Sequence, residues 1–269
     1  MNEQLPELHA LCLKIANQDF KTRLQSLCEY FLGINYGAWR NGSSIEALDD
    51  FNYDLNTLDC VTYAEVVLAL AKSDPHADYM TFVRRFENML CHIHYNKGIP
   101  SFLASNHIFC IDWIENNKYM VEDMTQNLSA TVKIAETQID KLAYFMRHKI
   151  NAANSAELPE SVQSQLAKRI STVPYIETED LLNNFAQYMA KFPEYCIVNI
   201  VRPNWDLTER IGTHLNISHL GFCIKDNVAD DLKFYHATSE KLKVVQETLD
   251  VYMLRQQSSP TIRGINVLT

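Results

Sequence analysis

Cys60 stands at the seam of "NTLDCVTYAEVVLALA" (residues 56–71), where a polar, turn-forming start meets an apolar run. Two readings of this thiol compete: a small buried hydrophobe at the head of a core helix, or a nucleophile activated by the helix end. In the first turn of a helix a cysteine meets unpaired amide N–H groups and the positive end of the backbone dipole. That setting can draw a thiol pKa below its free value of about 8.5, and the same amides can hold an oxyanion. The adjacent Asp59 opposes the effect unless its carboxylate turns away to cap the helix. An activated Cys60 would react with an alkylating reagent ahead of the other six cysteines.

A thiolate nucleophile needs a base, and the base needs an orienting partner, neither of them near in sequence. "NISHLGFCIKD" places His219 at the start of an apolar strand, and "LKFYHATSE" places His236 near the end of another. If these strands pair as a hairpin with its turn around "KDNVADD", the two imidazoles lie side by side at one end of a sheet. The plainer alternative is that each is a polar residue at a strand end.

Other groups carry weaker signals. "CHIH" brings together Cys91, His92 and His94, but residues two apart on a helix point to different faces, and no metal is assigned. His107 and His214 fall in loops and could line a cleft. The acid pairs Asp49 with Asp50 and Asp230 with Asp231 leave a glycosidase open on that basis alone. No GxSxG, HExxH, GxxxxGK[ST] or dinucleotide fingerprint occurs.

The elements that must position these residues follow from spacing. Apolar residues at threes and fours over 1–35 predict two amphipathic helices. Asp59 serves as the N-cap of a helix whose buried face is Val61, Ala64, Val67, Leu68 and Ala71, and another helix runs within 76–97 to a stop at "YNKG". "IFCIDWIENNKYMVEDMT" is open between helix, strand and irregular structure, "VKIAETQ" reads as a strand, and "LAYFMRHKINAA" as a helix. Beyond about residue 170, "YCIVNIVRP", "SHLGFCIKD", "LKFYHATS" and "KLKVVQETL" form an antiparallel sheet. Helices first and strands later give an α+β architecture of two lobes, divided at 170/171 within one catalytic unit of 1–269.

Composition narrows the partners. The 269 residues suffice to bury about three quarters of the unfolded surface in a single fold. A net charge of −9 argues against nucleic acid or an anionic membrane as the main partner. Seven cysteines without a CxxC pair read mostly as free thiols. No apolar run approaches a membrane span, and "MNEQLPELHA" lacks the basic start and apolar stretch of a signal peptide.

Three segments, "LDCVTYAEVVLALA", "SHLGFCI" and "FYHATS", resemble in order and spacing the NlpC-type cell-wall cysteine hydrolases, which have a papain-like fold. More closely, "DWIENN", "IVRPNWDLTERIGTHLNISHLGF" and "YMLRQQSSPTIRGINVL" resemble the bacterial N-acetylmuramoyl-L-alanine amidase-like branch, from about residue 25 to the end. The resemblance implies a helical lobe carrying Cys60 as nucleophile. It also implies a small β-barrel or sheet lobe carrying His219 as general base and His236 as the residue that orients it. It implies cleavage of the amide between N-acetylmuramic acid and L-alanine of muropeptides, without metal or cofactor, by a monomer in the periplasm or exported, with the leader trimmed; the alternative compartment is the cytoplasm. Trp113, Asn116, Arg202 and Trp205 are then candidate substrate contacts. The chain departs from the pattern at "SNHIFCIDW", where a basic residue is missing and His107 is shifted. Within the superfamily the rival is a γ-D-glutamyl endopeptidase. Rivals of other classes are an idle wall-binding module and a thiol acyltransferase.

Overall fold

The computed structural model describes residues 3–39, 51–101, 103–106, 108–148, 166–226 and 231–269. His107, Asp49, Asp50, Asp230 and the tip of the "KDNVADD" turn lie outside them.

Four helices open the chain: α1 (Leu5–Ile15), α2 (Phe20–Tyr30), α3 (Cys60–Lys72) and α4 (Tyr79–His94). The periodic spacing of apolar residues produces α1, α2 and α4 as amphipathic helices. In contrast, α3 is buried from Thr62 to Ala71 on every side, a wider burial than the five-residue face expected from spacing. Its sequence is almost continuously apolar, and it packs between α2, α4 and the sheet. The one acid inside it, Glu65, is satisfied by Trp113 Nε1 at 3.0 Å and His94 Nδ1 at 2.7 Å.

The stretch left open between helix and strand forms a π-helical turn, Phe109–Trp113, that runs into the single helical turn Ile114–Asn116. Seven strands then build one antiparallel sheet: β1 (Lys133–Ile139), β2 (Arg169–Glu177), β3 (Tyr195–Leu207), β4 (Thr213–Asp226), β5 (Asp231–Thr238), β6 (Lys243–Thr248) and β7 (Gly264–Leu268). The hydrogen-bonded order is β1-β2-β7-β3-β4-β5-β6, an open sheet with β1 and β6 at its edges. The sheet therefore draws on both sides of residue 170, because β1 pairs with β2 along its whole length.

Strand alternation gives the sheet two buried faces. Leu220, Phe222 and Ile224 of β4 join the core shared with α1 to α4. Cys223, Phe234 and Ile200 join a second core under the helices Thr178–Asn183, Phe185–Lys191 and Leu249–Gln256. The ladder between β3 and β4 shifts register after the Ile200–His219 pair, where Val201 meets Ile217 and Ser218 is the extra residue. Such a bulge bends the strand and re-aims the side chains beside it. Buried Asn216 ties the bent part to its neighbours, with Nδ2 donating to Ala135 O and Ser171 O and Oδ1 accepting from Asn204 N. Among the described residues no helix is long and apolar enough to cross a membrane.

Candidate active site

Asp59 caps α3, its carboxylate accepting from Val61 N at 3.0 Å and Thr62 N at 2.8 Å, while the Thr62 hydroxyl accepts from Asp59 N at 2.9 Å. This capping box fixes Cys60 as the first helical residue. Cys60 is partly exposed, and its sulfur lies among the backbone amides of Leu220, Cys60 and Val61. The Leu220 amide is the one that follows His219, so the helix start and the strand bearing that histidine meet at the thiol. Both residues line a cavity of about 190 Å³ whose other walls include Ile108, Phe109, Cys110, Tyr144 and Leu215.

β4 and β5 pair from Phe222–Tyr235 to Asp226–Asp231, and the pairing ends just before the histidines. Gly221 makes the close approach possible: a Cβ there would lie 2.5 Å from Tyr235 O and 2.7 Å from His236 Cβ. His219 Nε2 bonds His236 Nδ1 at 2.7 Å, and His236 Nε2 bonds Glu247 Oε1 at 3.1 Å. Arg255 clamps both oxygens of that carboxylate, Nη1 donating to Oε2 at 2.5 Å and Nη2 to Oε1 at 3.0 Å. The carboxylate can only accept here, so His236 Nε2 carries a proton and its Nδ1 accepts from His219 Nε2–H. The lone pair of His219 is thereby left on Nδ1, the nitrogen that can serve as a base.

Electrostatics set the resting protonation. Burial and the Asp59 carboxylate push the Cys60 thiol up to about 12, against the three amides that pull it down. Burial, then His236 and the Arg202 guanidinium, push His219 down to about 3, with Glu247 opposing. Burial also lowers His236, while Glu247 raises it. For Glu247 burial works upward, yet the hydrogen bonds from His236 and Arg255 hold its carboxyl well below the usual range. At rest the Cys60 thiol and the His219 imidazole, two residues lining one cavity, are both neutral. This corrects the expectation of a low-pKa thiolate: Asp59 caps the helix as foreseen, but its charge remains close enough to oppose ionisation, and enclosure adds to it. Burial first, then the neighbouring Cys60 and Asp59 side chains, raise Tyr36 to about 12, so it keeps its hydroxyl proton.

The other sequence candidates separate. Trp113 is 0% exposed, stacks on Phe109 at 4.5 Å and donates to Glu65; it is a core residue rather than a substrate contact, because the π-helical turn points it inward. Asn116 donates to Asn106 Oδ1 at 2.7 Å and is not among the cavity walls. Arg202 and Trp205 do belong together, the guanidinium lying 4.3 Å from the ring centroid. His214 is on β4 rather than in a loop, 3.7 Å from Asp206. Within "CHIH", Cys91 bonds Gly98 O, His92 bonds Asn88 O and His94 bonds Glu65, so the three diverge. Among the described residues no group of three His, Cys, Asp or Glu could hold a metal ion. Glu247, Arg255, Tyr36 and Cys110 escaped sequence reasoning: Arg255 and Cys110 fall in segments that carry or break the family resemblance, but nothing in the type or spacing of the four marks a role.

The chain matches the AmiA-like, N-acetylmuramoyl-L-alanine amidase-like family over residues 26–262. It belongs to this family. No curated protein matches it significantly. Among solved structures, this amidase-like chain is similar to a Legionella pneumophila protein of the DUF1460 family, with 28% identity, TM-score 0.81, and 98% of this chain and 93% of the other covered. It also resembles an N-acetylmuramoyl-L-alanine amidase from Bacteroides uniformis, with 20% identity, TM-score 0.63, and coverage of 93% and 97%. A Bacteroides fragilis protein described as a xylanase candidate has 23% identity, TM-score 0.62, and coverage of 90% and 99%. At these lower identities the likeness is one of fold. Membership of the amidase-like family indicates a peptidoglycan hydrolase.

Proposed function

We propose that the protein is a cysteine amidase of papain-like design, cleaving the bond between N-acetylmuramic acid and L-alanine in muropeptides. The observation that carries this reading is the hydrogen-bonded relay from Glu247 through His236 to His219, ending at the strand residue whose following amide contacts the Cys60 sulfur. As substrate binds, His219 Nδ1 takes the thiol proton while the sulfur attacks the carbonyl carbon. Amides at the start of α3 and at Leu220 stabilise the oxyanion. His219 then gives its proton to the departing amine of L-alanine, leaving a thioester. Water adds to that thioester with His219 again as base, releasing the muramyl carboxylate and restoring the thiol. His236 orients His219 and shares its transient charge with Glu247.

The small, largely apolar cavity suits a short acyl group such as the lactyl ether of muramic acid. We place the enzyme in the periplasm or outside the cell, where peptidoglycan lies, acting as a monomer without metal or cofactor.

The test is mass spectrometry of defined muropeptides incubated with the wild type and with Cys60→Ala. Release of free peptide beginning at L-alanine, absent in the variant, supports the amidase. Release of an L-alanyl-D-glutamate fragment moves the cut to the γ-D-glutamyl bond. No cleavage of any substrate overturns the hydrolase reading in favour of a wall-binding module.

A further inference from the structure

We infer that Arg202 is a specificity-determining residue that grips a substrate carboxylate beside the reacting bond, namely the α-carboxylate of D-glutamate in the stem peptide. The inference rests on the amidase reading and adds the feature of the stem that is recognised.

Arg202 lies two residues beyond Ile200, the ladder partner of His219. Its charge is felt by that imidazole. One Nη donates to Thr261 Oγ1 at 3.1 Å, and the guanidinium lies 4.3 Å from the Trp205 ring centroid. Thr261 and Trp205 thus fix the plane of the fork before any ligand arrives. Its Nε is buried and has no acceptor among the described residues. No ion pair among the described residues includes Arg202. Three other cations are held by acids: Arg255 by Glu247 at 2.5 Å, Lys141 by Asp112 at 2.7 Å and Arg169 by Glu115 at 2.6 Å. Glu240, whose charge Arg202 feels, is engaged by Arg255 at 3.8 Å and Gln256 at 3.3 Å.

A half-buried guanidinium held on an aromatic face, with one Nη on Thr261 and the second Nη uncommitted, can donate that second Nη to a carboxylate oxygen. In a muramyl peptide the γ-linkage leaves the D-glutamate α-carboxylate as the first carboxylate beyond the scissile amide. A residue next to the base is placed to meet it.

Three muramyl tripeptides test this. Two carry an amidated C-terminus and differ only in bearing a free α-carboxylate or an α-carboxamide on D-glutamate; the third pairs the α-carboxamide with a free C-terminus. The wild type should favour the α-carboxylate substrate over its carboxamide by tenfold or more in kcat/KM, chiefly through KM. R202Q should lose that preference, and R202K should recover part of it, since it keeps the charge without the fork. Equal cleavage of all three by the wild type overturns the inference while leaving the amidase reading intact. An advantage conferred by the free C-terminus overturns the assignment to D-glutamate. An R202Q variant that slows the α-carboxylate and α-carboxamide substrates in the same proportion shows that Arg202 acts on the fold or on His219. Cleavage of none of the three overturns the amidase reading and this inference with it.

Discussion

Glu247→Gln removes one negative charge from the end of the relay while keeping the shape of the side chain. In the wild type this carboxylate is 10% exposed, accepts from His236 Nε2 at 3.1 Å and is clamped by Arg255. It is ionised throughout the working range, because the His236 and Arg255 contacts outweigh the opposing effect of burial. During catalysis a positive charge appears on His219, whose ring centroid is 4.9 Å from that of His236. With the carboxylate ~8 Å from that charge and an effective dielectric of ~20, the attraction is about 2 kcal/mol. The Arg255 clamp cancels roughly half of it. Exchanging a charge-assisted hydrogen bond at His236 for a neutral one costs about 1 kcal/mol more. A total near 2 kcal/mol corresponds to a loss of about 30-fold in kcat. Because Glu247 raises the His219 pKa, its loss also moves the acid limb of kcat/KM to lower pH. The assay is release of the stem peptide from a defined muropeptide across pH, followed by chromatography, with imidazole nitrogen NMR to read the His236 tautomer. An E247Q enzyme within twofold of wild type, with the tautomer unchanged, would refute the relay.

Three further outcomes follow from the same geometry. Iodoacetamide at pH 6.5 should label Cys60 more slowly than a free thiol, and Asp59→Asn, which keeps the cap but removes the charge, should speed it; Asp59→Ala should in addition lower stability by about 1 kcal/mol in urea unfolding. Rapid labelling of the wild type would contradict the neutral pair. His219 and His236 have lowered pKa values in the folded state, so the unfolded chain binds more protons than the native one. Their stabilising contribution is present above the unfolded value of ~6.5 and is lost as pH falls toward the folded one. The unfolding free energy from urea titration should therefore decline between pH 7 and pH 5, by about 2 kcal/mol for His219 alone, and His219→Gln should flatten that slope; a flat wild-type profile would count against the burial of the pair. Gly221→Ala should push β4 from β5 at the His219–His236 contact, at a cost of about 1–3 kcal/mol, read as a lowered Tm. An unchanged Tm with full activity would show that the strands have slack there.

The local patterns were legible in the chain itself. The helices α1, α2 and α4 follow from apolar residues at threes and fours, and the start of α3 from Asp59 and Thr62, because a helix is made of contacts within one turn. The strands bearing His219 and His236 follow from β-branched and aromatic runs broken by turns, and Cys60, His219 and His236 were picked out by residue type. Tertiary structure decided what no spacing encodes. It brought Glu247 of β6 and Arg255 of the helix Leu249–Gln256 onto His236, laid the Leu220 amide on the Cys60 sulfur, and turned Trp113 into the core. It also reversed the expected direction of the thiol pKa. Helix dipole and capping are properties of one turn, whereas the enclosure of the thiol by β4 depends on how separate elements close around the site, and here that burial, aided by the adjacent Asp59 carboxylate, outweighs the pull of the helix start.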